Sequence, residues 1–191
     1  MHLAGAYAYA GRDIVVQKVI EILGNPTVTF EVHNHHNFAW REHHFGKDYW
    51  VVRKGCTPAF PGQYGFIGAN MLDTSVIVQG VDSALSQKAL YSTVHGAGRV
   101  MSRTRAAGKK RWIKGVSRTI SKGEVDFYQV QDVMKTAGIE LRGGGADEAP
   151  QCYKNLKEVL GHMGETIEVV HELYPIGIAM AASDTYDPFR D

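Results

Sequence analysis

Apolar positions follow two periods along this chain, and each change of period marks a predicted element. Leu3, Ala6, Ala10, Ile14, Val15, Val19 and Ile22 recur at roughly helical spacing. They predict one long helix from Leu3 to Leu23, ended by Gly24-Asn25-Pro26. So buried-looking a helix within two residues of the start implies either a compactly trimmed chain or something in front of it. Thr27–Val32 alternates with β-branched residues and predicts a strand, as do the short apolar runs Tyr49–Val52 and Ser75–Val78. Arg53–Met71, dense in Gly and Pro, predicts an ordered loop. Helices are expected over Arg99–Ala107, Asp126–Ala137 and Leu156–His171, with an exposed basic turn at Gly108-Lys109-Lys110-Arg111. Ile139–Leu141 and Pro175–Met180 complete the strands. Helices and strands mix without strict alternation, so the expected class is α+β with a mixed sheet, not a doubly wound fold.

Composition narrows this reading little. With 191 residues, 44% hydrophobic and 21% charged, residues 1–191 are expected to form a single globular domain. A net charge of +1 carries no message about nucleic acid, but its distribution does. Arg99–Lys114 is strongly basic, whereas Gly123–Glu172 leans acidic. Two cysteines, Cys56 and Cys152, lie far apart without CxxC spacing, which predicts reduced thiols and a cytoplasmic location. No apolar run reaches membrane-spanning length and the start lacks export features, so no membrane partner is expected.

The densest chemistry lies in S-T-V-H-G-A-G-R-V-M-S-R, Ser92–Arg103. Glycines let backbone N–H groups approach an anion, and a helix starting after them would aim its positive end there. Arg99 and Arg103, spaced i,i+4 with no acidic residue between, match phosphate oxygens. His95, directly before Gly96-Ala97-Gly98, is placed as acid/base or nucleophile at a phosphate. Five of the nine histidines fall between His33 and His44. On a strand His33 and His35 share one face and His36 takes the other, so one functional histidine is expected, not a cage. His36, followed by Asn37, is the best candidate; the plain alternative is an exposed cluster with no specific role. Arg53-Lys54 leaves a strand end, as a phosphate contact or a solvated basic pair. Gly68-Ala69-Asn70-Met71 suits wrapping a phosphate or a base edge, although many tight turns look alike. Tyr153 either stacks on a base or packs in the core. Cys56, without a second cysteine nearby, reads as structural.

Taken in order, H-H-N-F, V-V-R-K-G-C-T-P-A-F-P-G, G-A-N-M with Ser75, H-G-A-G-R-V-M-S-R and D-E-A-P-x-x-Y-K form a series. That series resembles the C-terminal half of the RtcB family of GTP-dependent RNA-splicing ligases. The resemblance implies an RtcB-like fold lacking its N-terminal half. It also implies an enzyme that joins RNA 3′-phosphate or 2′,3′-cyclic phosphate ends to 5′-hydroxyl ends, with Mn²⁺ and GTP. By that resemblance His95 is the guanylylated nucleophile, His36 a manganese ligand and Asn37 a nucleotide contact. Gly68, Ala69, Asn70, Met71, Gly96, Ala97 and Gly98 hold the nucleotide, Ser75 reads guanine and Tyr153 stands beside it. Arg53, Lys54, Arg99 and Arg103 serve the RNA or nucleotide phosphates. The chain departs from the family in lacking G-N-H-F and H-S-G-S-R, which carry further metal ligands. It also reads Ala179-Met180-Ala181 where the family places a guanine-contacting lysine. The implied partners are RNA, GTP and an N-terminal ligase half, and the chain alone is expected to be inactive or very weak. Two other readings remain: a non-catalytic nucleotide- or RNA-binding module, and a histidine-based phosphoesterase.

Overall fold

The computed structural model describes residues 1–35, 37–113 and 116–182, which divide into two compact units. The first comprises Met1–Ile67, Ile77–His95 and Met163–His171; the second comprises Gly68–Val76, Gly96–His162 and the residues from Glu172 on.

The first unit opens with α1 (His2–Ile22), within a residue of the predicted helix. Strands β1 (Asn37–His44) and β2 (Lys47–Lys54) pair antiparallel from Asn37↔Lys54 to His44↔Lys47. They turn through Phe45 and Gly46, both at positive φ, the two-residue geometry that matches strand twist. β3 (Cys56–Pro58) pairs antiparallel with β6 (Ser92–Val94). β4 (Tyr64–Ile67), β5 (Ser75–Gly80) and β10 (Ile167–Leu173) form a sheet in the order β10-β5-β4. The helix α2 (Ala84–Lys88) is capped by Ser83, whose hydroxyl accepts the Ser86 N–H. Ala39, Val51, Ala59, Ile67 and Val78 are buried here.

In the second unit, α3 (Arg103–Ala107) runs into β7 (Gly108–Ile113), which pairs antiparallel with β8 (Val116–Lys122). Asp126 caps α4 (Phe127–Thr136) by accepting the Tyr128 N–H at 3.0 Å. Val130 and Met134, one turn apart on α4, point into a core with Met71, Ala106, Ile139, Ala149 and Cys152. β9 (Glu140–Gly144) pairs in parallel with β11 (Gly177–Ala182), and α5 (Leu156–Gly161) is capped by Asn155. Gly143, at φ 75°, lies so close to the Met180 carbonyl that a Cβ there would strike it. Both conformation and space therefore require glycine.

The architecture is mixed α and β, with five small sheets among the described residues. Local expectations fail where tertiary partners decide. Thr27–Val32 alternates but forms no strand, because no neighbour among the described residues supplies a ladder. Asn34 binds the neighbouring strand through its side chain instead, donating to the Tyr64 carbonyl and accepting the Phe66 N–H. The loop expected at Arg53–Met71 contains β3 and β4, and the basic turn at Gly108–Arg111 is strand β7. The helix expected at Arg99–Ala107 begins only at Arg103, since Arg99 bridges to Tyr153. The helix expected at Leu156–His171 stops at Gly161; Gly164 takes a positive φ, and the residues from Ile167 become β10. The Cys56 and Cys152 thiols are both free. No helix is long and apolar enough to cross a membrane among the described residues.

Candidate nucleotide and RNA site

In the first unit, the β1–β2 hairpin sorts the basic and histidine residues. Arg53 is 1% exposed. Its guanidinium forks onto Glu42 at 2.5 and 2.9 Å and donates to Ser92 Oγ and the Leu90 carbonyl. Its face lies 5.1 Å from the Trp40 ring. This corrects the expectation that Arg53 meets RNA: the side chain is buried and all three guanidinium nitrogens donate inside the protein. Lys54, next along the strand, is exposed. Burial alone would raise the Glu42 pKa, but hydrogen bonds from Arg53 and His44 hold it below the usual carboxylate range.

Three histidines of the run are tied to carboxylates: His33 to Asp13, His43 to Asp48 and His44 to Glu42, each at 2.8 Å. His33 also accepts from Arg12 Nε at 2.7 Å, so both its ring nitrogens are used and Nδ1 carries the proton. His35 stacks on Phe38, its pKa lowered by burial and then by Arg12 and His33. No group of three potential metal-binding side chains occurs among the described residues. The described residues therefore do not by themselves make up a manganese site. His36, the expected manganese ligand, lies outside the described residues; Asn37, the expected nucleotide contact, is exposed at the start of β1.

His95 is half-buried at the end of β6, where the ladder with β3 stops. Its ring passes Gly55 so closely that a Cβ there would sit 3.8 Å from His95 Cε1. The R-K-G turn thus abuts the expected nucleophile through a residue with no side chain. Sequence reading gave Gly55 no role; a glycine immediately before Cys56 and after two basic residues was the available signal.

The second unit joins the two loops expected to hold a nucleotide. Gly68 bridges Gly96, and the Ala97 N–H donates to the Gly68 carbonyl at 3.1 Å. Ser75 closes the Gly68–Met71 turn by accepting the Ala69 N–H at 3.0 Å. Its own hydroxyl proton is the group it can offer a ligand. Asn70 shapes the same turn: its carbonyl oxygen accepts from Leu72 and Asp73, and its amide donates to the Asp73 carboxylate. Its side chain thus builds the loop and is committed there. Met71 is 4% exposed in the core, which leaves only its backbone at the turn.

The arginines overturn the reasoning from unpaired charge. Arg99 donates to the Tyr153 hydroxyl at 2.8 Å, to the Asp147 carbonyl at 2.5 Å and to the Met101 carbonyl at 3.1 Å. It also lies 3.7 Å from the Glu148 carboxylate. Arg103 bonds both Asp147 and Glu148. Two cations thus face two anions supplied by the distant D-E-A-P stretch, and the cluster is neutral as a whole. Tyr153 donates to Glu148 while the Arg99 guanidinium covers its ring at 4.8 Å. Burial, and next the Glu148 bond, push its pKa up to about 12. Burial works against the Arg103 charge, but Glu148 and then Asp147 raise its pKa. Glu148, which receives all three side chains, had no assigned role in sequence; D-E-A-P was visible, its partners were not.

Comparisons with known proteins place the chain in a class. The family model described as tRNA-splicing ligase RtcB matches residues 1–181, and the chain belongs to that family. It is 32% identical over 183 residues to the RNA-splicing ligase RtcB of Escherichia coli K12, and 33% identical to RNA-splicing ligase RtcB1 of E. coli ATCC 25922. Each match covers 89% of this chain and 40% of the relative. The tRNA-splicing ligase RtcB of Methanopyrus kandleri is 29% identical over 93% of this chain and 20% of its own length. The chain therefore spans about two fifths of the bacterial relatives' length.

Proposed function

We propose that this chain supplies the nucleotide-accepting part of an RNA ligase that joins 3′-phosphate, or opened 2′,3′-cyclic phosphate, ends to 5′-hydroxyl ends. A neutral ring nitrogen of His95 attacks the α-phosphorus of GTP; a P–N bond forms and pyrophosphate leaves. An oxygen of the RNA 3′-phosphate then attacks that phosphorus, breaking the P–N bond and taking GMP. Finally the 5′-hydroxyl oxygen, giving up its proton, attacks the 3′-phosphorus and GMP leaves.

The observation that carries this reading is H-G-A-G-R at residues 95–99 inside the family match, with Gly96 bridged to Gly68. By the resemblance, the Gly68-Ala69-Asn70-Met71 and Gly96-Ala97-Gly98 backbones would cradle phosphates, Ser75 and Asn37 would contact the nucleotide, and Tyr153 would serve it as an aromatic neighbour. Lys54 and the outer side of Arg103 would meet RNA, while Arg99 would hold Tyr153 in place. His36 would contribute one ligand to Mn²⁺, the remaining ligands coming from a complementary polypeptide.

The test is protein labelling by Mn²⁺ and radiolabelled GTP. Alone, the chain should take up little or no label; with the complementary ligase portion it should label, and His95→Ala should abolish the signal. Strong labelling of the chain alone refutes the need for a partner, and label persisting in His95→Ala refutes the nucleophile. Met180, standing where the resemblance places a guanine-contacting lysine, favours a second reading as a non-catalytic nucleotide- or RNA-binding module. RNA binding without covalent GMP, even with the complementary portion present, selects that alternative.

A further inference from the structure

No acidic residue occurs from Ser83 to Gly123, and Lys109, Lys110, Arg111, Lys114, Arg118 and Lys122 all fall in the last part of that stretch. The cations just before them are neutralised, Arg103 by Asp147 and Glu148, and Arg105 by Glu124 at 2.7 Å. Those of the β7–β8 hairpin are not. Lys109, Arg111, Arg118 and Lys122 are exposed, and none of these side chains is in an ion pair among the described residues. The register sets cation against cation: Lys109 lies opposite Ser121, and Arg111 opposite Arg118. Directly opposed residues share a face of the pair, and so do alternate residues of one strand. Lys109, Arg111 and Arg118 therefore form one cationic face.

Two like charges directly opposite weaken a hairpin. Guarding its open edges requires charge of either sign and does not account for an uncompensated arginine pair. An anion between the two guanidinium groups turns their repulsion into attraction, and phosphate oxygens match each fork. The ribbon is rooted beside Arg103. That residue opens α3, whose five residues rise about 8 Å before β7 begins. The returning chain binds the same helix, the Glu124 and Val125 N–H groups donating to the Arg105 and Ala106 carbonyls at 3.0 and 3.1 Å. From Lys109 to Arg111 is about 7 Å along the strand, two phosphate steps of a stacked nucleic acid strand. We infer that this face of the β7–β8 hairpin is a second RNA contact, outside the nucleotide loops, that grips backbone phosphates without reading bases. This rests on the proposed function in taking RNA as the bound polyanion.

The probe is a fluorescein-labelled single-stranded RNA of about 20 nucleotides ending in a 3′-phosphate, titrated with the whole chain, without GTP or metal, over a range of salt. Lys109→Gln/Arg111→Gln/Arg118→Gln should flatten the slope of log affinity against log salt by about 2, at about 0.7 for each phosphate contact. At about 0.1 M salt this is roughly a hundredfold weaker binding, and the difference should close as salt approaches about 1 M. Oligouridine and mixed-sequence strands should lose equally. Arg111→Lys/Arg118→Lys keeps the charges and should keep most of the slope. Lys47→Gln/Lys135→Gln/Lys157→Gln removes the same charge from exposed positions elsewhere and should leave the slope nearly unchanged. The hairpin triple loses a like-charged pair, so the free variant should melt no lower than wild type. In the unmodified chain, bound RNA should protect Lys109 from acetylation and leave Lys157 reactive, a result that needs no variant. No RNA binding by wild type, an unchanged slope in the hairpin triple, an equal loss in the control triple, or Lys109 acetylated equally with and without RNA overturns the inference. Guanylylation is scored separately, so its failure with the salt slopes as expected counts against the catalytic reading alone.

Discussion

Replacing Arg53 by methionine tests whether this arginine is a structural ion or an RNA contact. Wild-type Arg53 satisfies Glu42 through a two-point fork, together with Ser92 and the Leu90 carbonyl. Arg53→Met fills much of the same space but leaves the Glu42 carboxylate, 10% exposed, with His44 as its remaining partner. Removing one member of a buried pair costs about 3–5 kcal/mol, because the other charge stays desolvated. An exposed pair would cost about 1 kcal/mol or less. Against a total stability of about 5–15 kcal/mol the buried value is a large loss. In urea, with a slope of about 2 kcal/mol per molar, it moves the unfolding midpoint by roughly 2 M.

Tryptophan fluorescence during urea unfolding reads this directly, since Trp40 packs on the guanidinium. Glu42→Leu/Arg53→Met removes both charges and should recover most of the loss. Arg53→Lys keeps the charge but loses the fork, and should fall between. A midpoint shift worth less than about 1 kcal/mol refutes the buried-pair argument. An Arg53→Met chain of wild-type stability but weakened RNA binding restores Arg53 to the RNA-facing set.

The same hairpin should be acid-sensitive. Because the folded-state pKa of Glu42 is lowered, its stabilisation is present above the unfolded value of about 4.3 and lost as pH falls through the folded value; urea midpoints should drop on acidification, and less so in Glu42→Gln. Tyr153, pushed to about 12, should be missing from the tyrosines that ionise near pH 10 in a spectrophotometric titration, and Tyr153→Phe should remove only a late-titrating component. Gly143→Ala should destabilise the second unit by at least about 1–2 kcal/mol from its left-handed backbone alone, with further loss from the clash at Met180, read as a lower melting temperature. Asp126→Ala should cost about 1 kcal/mol through loss of the α4 cap, measured by thermal unfolding.

What was legible in the sequence depended on how far apart the decisive residues lie. α4 was readable because its cap, periodicity and end fall within a dozen residues. α1 was readable as a helix for the same reason. The arginine argument failed because it sought acidic partners between Arg99 and Arg103, whereas the partners stand 44 to 48 residues further on. Arg53 was misread likewise: its carboxylate is set across a hairpin whose register no local pattern specifies. The histidine run left open whether one ring is functional or all are merely exposed, because sequence lists imidazoles without listing what each nitrogen holds. Once Asp13, Asp48 and Glu42 are placed, three of the five are occupied.

Backbone geometry, by contrast, is set by residues close together in sequence or by small side chains that can be read directly. Gly68 and Gly96 meet as adjacent backbones, and Ser75 closes its turn over six residues. A phosphate cradle is a backbone device, so small-residue loops announce it in sequence. The charged groups that tune such a cradle depend on distant partners, and sequence does not reveal whether those partners neutralise them. For this chain the distinction has a consequence. The neutral Arg99–Arg103–Asp147–Glu148 cluster adds no excess positive charge for a triphosphate. The proposed nucleotide affinity must therefore come from backbone N–H groups and from cations outside that cluster. Glu148→Gln, which frees one positive charge, should then raise triphosphate affinity in a binding titration and steepen its salt dependence. An unchanged or lower affinity would mean that Glu148 acts by holding Arg99 and Tyr153 in place and that charge balance is secondary.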